Sequence, residues 1–367
     1  MRKKIFLMSI VLGLVLGTVG CAKDESKETV DTKAIEILEE TEEKKENSNE
    51  KTNREMVSEN QNSLTGLIDL SDEAIGKRPV AVMVNNVNDA LPQYGISDAD
   101  IMFEMTVEGD LTRMMALYAD YTKVPVVCAV RSCRYYYPVM ANGFDAFYVN
   151  WGFDETIREY VDSLDVNYFD GMVNPGNMFG RDENRLNSGY ALEHTAYFDG
   201  TKFAEYVDNN GYRTELLNEK QGSAFVFNGL EEQVKPNGDD CKEVNIDFGA
   251  ATATFSYDEE SNTYLKQING QNQMDAVTDL QLAFTNVFVL ETDISVRTDY
   301  GHKQIDWQGG DDSVGYYISN GCVQKITWEK TSENAYLKFY DEDGKELSIN
   351  RGKSYIAFNY ANQTAFQ

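Results

Sequence analysis

The stretch VPVVCAVRSCRYYYPVMANGFDAFYVNWG (residues 124–152) decides the fold class. It opens on one apolar run, VPVVCAV, and closes on another, AFYVNWG. Short apolar runs rich in β-branched and aromatic residues read as buried strands. Between them YYYPVMANGF reads as a helix, with Pro138 in the first turn, where its missing N–H leaves no bond unmade. Strands alternating with helices predict an α/β layered domain. Working outward, RPVAVMVNN (residues 78–86) is a further buried strand running into a loop. IMFEMTV and TRMMALYAD flank EGDL and supply two more strands. DETIREYVDSL is an amphipathic helix, and TKFAEYVDNNGY is a helix closed by Asn-Gly. NDALPQYGISDAD is turn-rich with one short helix, and residues 165–195, full of Asn, Gly and Asp, read as a long surface loop.

From about residue 222 the texture changes to short aromatic and β-branched runs separated by turns. Asn320-Gly321 and Asp343-Gly344 are two-residue hairpin signals. The expected class is therefore α+β: an N-terminal α/β layered domain at 66–215, followed by a mostly β C-terminal domain at 222–367.

The N-terminus predicts an address. Arg2, Lys3 and Lys4 precede an uncharged apolar stretch, residues 5–20, shorter than the roughly 20 residues that span a bilayer comfortably. Residues 1–20 read as a signal peptide of the lipoprotein type, because LGTVGC places a small residue directly before Cys21. Cys21 is the expected lipidation site, its thiol carrying the diacylglycerol whose two chains (unlike one) give stable anchoring. Residues 21–65, rich in Glu, Lys, Asn and Ser, read as a disordered acidic tether. The expected location is the outer face of a bacterial cytoplasmic membrane, the membrane itself being the first partner.

The formal net charge of −28 argues against nucleic acid as a partner. With only two histidines, His194 and His302, a His-rich metal site is excluded and candidate general bases are few. Cysteines 128, 133, 241 and 322 show no CxxC pairing, and their connectivity cannot be read from spacing.

Several blocks then occur in a specific order: SDADIMFEMTVEGDLTRMMALY, VRSCRYYY, EHTAYFD, YYISNGCVQKITWEK and FYDEDGKELSINRGKSYI. Together they resemble the YerB-like lipoproteins, the family built from the N- and C-terminal parts of domain of unknown function 3048. The resemblance covers roughly residues 75–365. It departs from the family's pattern at Cys128-Ala129, where the family tends to Gly-Pro, at Thr195, where it tends to Asn, and at Arg351, where it tends to Pro. It implies a lipid-anchored, two-domain envelope protein and supplies no established reaction.

In so acidic a chain, clustered cations carry information. Arg131 and Arg134 bracket the point where a strand is expected to give way to a helix near Ser132. Unpaired N–H groups at a helix start attract anions, and guanidinium forks bind phosphate or carboxylate bidentately. Arg113, Arg131, Ser132 and Arg134 are thus the candidate anion-binding set. Glu104, Glu108 and Asp110, from the neighbouring segment, are either ion-pair partners of these arginines or oxygen ligands for a cation.

Three functional readings follow. The first is a non-catalytic binding or assembly module with an anion-receptive cleft for an envelope ligand. The second is a phosphotransferase, because the order of residues loosely resembles the LytR-CpsA-Psr enzymes. There the arginines would grip a lipid pyrophosphate and the carboxylates would hold Mg²⁺. The third is a purely structural or protein-interaction lipoprotein whose arginines are all internally paired. No cofactor is required by the first or third. His194 is the one candidate catalytic base, with the alternative that it pins the EHTAYFD loop. Trp307, Trp328 and nearby tyrosines could offer a sugar-stacking face or build the β core.

Overall fold

Every residue of the strand Val80–Asn85 is buried. Val80, Val82 and Val84 enter one core cluster, and Ala81 and Met83 enter a second on the opposite face. A strand covered on both sides needs no polar alternation, hence the unbroken apolar run. The computed structural model describes residues 54–298 and 300–367. The expected signal peptide, Cys21 and most of the expected tether lie outside the described residues.

This strand belongs to an 11-stranded sheet. It pairs in parallel with Phe147–Asn150 and antiparallel with Thr112–Tyr118. Beyond Thr112–Tyr118 lie Ile101–Thr106, Ser354–Asn359, Asn286–Glu291, Gly309–Ser319 and Cys322–Glu329. The sheet passes from the first half of the sequence to the second at the parallel pairing of Ile101–Thr106 with Ser354–Asn359, where Glu104 faces Ala357. The helix Tyr136–Gly143 covers one face through Tyr136, Val139 and Met140 against Phe103 and Met105. A smaller antiparallel sheet covers the other, with Val244, Phe255 and Tyr264 inward. The C-terminal segment is mostly β. Among the described residues, no helix is long and apolar enough to cross a membrane.

Several expectations need correction. The fold begins before residue 66: Arg54 binds the Glu346 carboxylate and the Ala224 carbonyl, and Gln61, Asn62 and Leu64 are buried. Arg54, Gln61 and Asn62 are polar, and their side chains are spent on specific partners such as Asp100, 2.9 Å from Asn62 Nδ2, so composition alone disguises this segment as tether. Of VPVVCAV only Val126–Cys128 is a strand, and it pairs with Ala196–Asp199 in a separate three-stranded sheet. The following helix starts at Tyr136 rather than near Ser132. Residues 165–195 hold the strands Tyr168–Asp170 and Phe179–Arg181 and the helix Glu183–Asn187, so they are not a plain loop. Asn320 and Gly321, with φ of 46° and 73°, join Gly309–Ser319 to Cys322–Glu329 as a tight hairpin, the left-handed pair that two-residue turns require.

Candidate functional site

The turn Glu108–Asp110 links two neighbouring central strands, and Gly109 takes a positive φ of 65° within it. Glu108 is thereby held over the start of Thr112–Tyr118, beside the segment carrying Arg131 to Arg134. Arg134 donates to both its oxygens, Nε to Oε2 at 2.9 Å and Nη2 to Oε1 at 2.5 Å. Arg113 Nη2 donates to Oε1 at 2.8 Å. The remaining Nη1 groups hold the adjacent backbone, Arg113 donating to Ser132 O and Arg134 to Cys133 O, each at 2.7 Å. One carboxylate thus pairs with two buried guanidinium groups, offsetting one of their two charges, and fixes the 131–134 turn. Burial alone would raise the Glu108 pKa, but the charges of Arg113 and Arg134 overcome it and hold the group at about 2. Burial likewise lowers Arg113 to about 10, reinforced by Arg134, and leaves it protonated at neutral pH.

Arg131 is placed differently. It is 24% exposed, and its ion pair is a 3.2 Å contact from Nη1 to the exposed Glu193. Its Nε is buried with no hydrogen-bond partner. Backbone bonds fix its position, Arg131 N donating to Met83 O and Trp151 N donating to Arg131 O. Ser132 Oγ faces Gly152, where an added Cβ would stand 3.6 Å away. Asn150, whose Nδ2 donates to Gly152 O, has a buried Oδ1 without a partner. Arg181 lies over the Trp151 ring at 4.3 Å, close enough that the Arg131 charge adds to burial in lowering its pKa. Arg181 was not singled out from the sequence, since it sits in the segment read as loop.

The three acids do not converge. Glu104 is fully buried and pairs with the equally buried Lys266 at 3.1 Å. Asn86 and Thr112 each donate to its Oε1 at 2.7 Å, and Tyr355 donates to Oε2 at 2.9 Å. Asp110 pairs with Lys303 at 2.6 Å and accepts from Tyr360 at 2.8 Å. Glu108 serves the arginines. Among the described residues, no three His, Cys, Asp or Glu side chains are grouped to hold a metal ion. Lys266 was missed, yet a signal existed: it alternates with inward-facing Tyr264 and Ile268 on one strand, a lysine at an apolar parity.

His194 closes the short turn Leu192–His194 and is buried, its Nδ1 lying 2.9 Å from Asn85 Nδ2. Burial lowers its pKa, against a weaker pull from Glu193. It ties its loop to the end of a central strand. Trp328 belongs to the core, its Nε1 donating to Val314 O at 3.1 Å, whereas Trp307 is half-buried at a cleft. The four cysteines are free and buried.

Comparison with known proteins agrees with this architecture. The chain is 27% identical over 298 residues to the protein named "Putative lipoprotein YerB" of Bacillus subtilis (strain 168), covering 80% of this chain and 84% of that one. It superposes on the crystal structure of the YerB protein from Bacillus subtilis with a TM-score of 0.70 at 25% identity, covering 83% of this chain and 98% of that one. The model of the protein of unknown function (DUF3048) N-terminal domain matches residues 64–213, and that of the C-terminal domain matches residues 244–356. The chain belongs to the DUF3048 family, with both of its domains present in order.

Proposed function

We propose that the protein is a non-catalytic binding or assembly module, lipid-anchored through Cys21 on the outer face of the bacterial cytoplasmic membrane. Its receptive corner is Arg131 with Ser132 and Arg181, and the ligand carries a phosphate or carboxylate group. The observation carrying this reading is the state of Arg131, whose buried Nε has no partner and whose ion pair runs to an exposed acid. A guanidinium with spare donors beside a second cation is suited to an anion's oxygens. Arg113 and Arg134 form the brace that positions it. The anchor is supported by LGTVGC and by the name of the Bacillus relative.

The phosphotransferase reading draws no support from the arrangement, since Glu104, Glu108 and Asp110 are each engaged by different cations. The purely structural reading accounts for Arg113 and Arg134 but leaves Arg131 unexplained.

Isothermal titration of the full chain in detergent, with inorganic phosphate and with citrate, tests the corner. A saturable 1:1 heat is expected, weakened about tenfold or more in Arg131→Ala, the scale of losing a charge-assisted hydrogen bond. Absence of saturable heat, or an unchanged titration in the variant, would overturn the assignment. Cys21→Ser should move the protein out of the membrane fraction, and its retention there would contradict the anchor.

A further inference from the structure

A second site lies away from the arginine corner. A cleft of about 640 Å³ opens between the hairpin formed by Ile294–Val296 and Lys303–Ile305 and the segment carrying Tyr135 and Tyr160. This volume falls within the range of small-ligand sites. Three aromatic side chains line it: Tyr135, Tyr160 and Trp307. Each packs against the main core and is only half-buried, so each ring is held in place while part of it stays accessible. Tyr135 meets Tyr160 edge-on at 5.8 Å and is further fixed by its hydroxyl, which donates to Ile305 O at 3.0 Å and accepts from Ile305 N at 3.1 Å.

Of the polar groups in the lining, Asp306 is exposed and accepts from Gln308 N at 3.0 Å, and three planar groups are unspent. Asp293, Gln304 and Gln308 are exposed in the cleft, and their side chains make no hydrogen bond or ion pair among the described residues. The one arginine there, Arg297, is engaged through Nη2, 2.6 Å from Asp154 and 2.9 Å from Thr156 Oγ1, while its buried Nε has no hydrogen-bond partner. His302 Nδ1 also lies 2.8 Å from the Asp154 carboxylate, and the Arg297–Asp154 ion pair ties the hairpin to the opposite wall.

We infer that this cleft binds an uncharged oligosaccharide. Fixed aromatic faces suit the C–H faces of pyranose rings, and carboxamide and carboxylate groups suit vicinal hydroxyls, offering both donors and acceptors. Two exposed carboxylates, Asp293 and Asp306, against one arginine already paired with Asp154 disfavour a polyanion. This site is independent of the Arg131 corner in residues and in ligand charge.

The test is titration of the full chain with cellohexaose, maltohexaose and a hexamer of N-acetylglucosamine, with polyphosphate as the charged control. Calorimetry gives affinity, and saturation-transfer NMR reports sugar protons against aromatic rings. The expected result is binding of at least one hexamer, with transfer to ring C–H protons. Trp307→Ala should weaken it roughly tenfold, Trp307→Phe should restore part of the loss, and Arg131→Ala should leave it unchanged. Circular dichroism of each variant checks that the fold persists. The inference fails if none of the three hexamers binds, if polyphosphate binds this cleft in their place, or if Trp307→Ala and a second variant, Gln304→Ala, both bind as the parent does.

Discussion

Glu108 shows how one side chain can decide what its neighbours are free to do. Its two oxygens satisfy Arg113 and Arg134, both nearly fully buried, while Glu108 itself is 30% exposed. Glu108→Gln leaves two buried cations without their counter-charge and is expected to cost about 2 kcal/mol in urea unfolding, below the full penalty of a deeply buried pair because water reaches the carboxylate. The pH dependence has a defined sign. With a pKa near 4.5 when unfolded and about 2 when folded, Glu108 takes up a proton more readily in the unfolded chain. Its contribution is complete above about pH 5 and is lost as pH falls toward 2. The acid limb of stability should flatten in Glu108→Gln, and an identical limb in parent and variant would contradict the brace. At this scale the sequence was partly readable. Arginines near a strand end in an acidic chain stood out, and so did the carboxylates beside them. Which acid meets which base was not readable, because the partners of Glu104 and Asp110 come from residues 266 and 303, far along the chain.

Among elements, the central strands were legible because both of their faces are buried and their apolar runs are unbroken. The hairpin at Asn320-Gly321 was legible because the turn demands left-handed backbone that few residues adopt. Two features hid the rest. Residues 54–65 use polar side chains as specific partners, and a composition rule treats such residues as solvent-loving. The strands within 165–195 are three residues long, too short to show a period. The Glu104–Lys266 pair joins a strand of the central sheet to one of the smaller sheet through a wholly buried contact. Lys266→Met strands the Glu104 charge and should cost about 3–5 kcal/mol. Adding Glu104→Gln removes that charge, so the double variant should be more stable than Lys266→Met alone. Simple additivity in a double-mutant cycle would show that the pair is not coupled.

Across the molecule, strands from both halves of the sequence share one sheet, and the parallel pairing of Ile101–Thr106 with Ser354–Asn359 is where they meet. Sequence texture separated an α/β segment from a mostly β one but carried no sign of this junction, because strand pairing across 250 residues leaves no local period. The shared sheet sets the turn bearing Glu108 and the segment bearing Arg131 in fixed register, dividing three arginines into a buried pair braced by Glu108 and one partly exposed arginine, the receptor of the proposed function. That division is open to direct observation in the arginine Nε–Hε region of a ¹⁵N NMR spectrum of the full chain, titrated with inorganic phosphate and assigned by single Arg→Lys variants. The expected result is a saturable shift of the Arg131 resonance while those of Arg113 and Arg134 stay in place. Movement of the Arg113 or Arg134 resonances, or no movement of Arg131 at saturating phosphate, would contradict it.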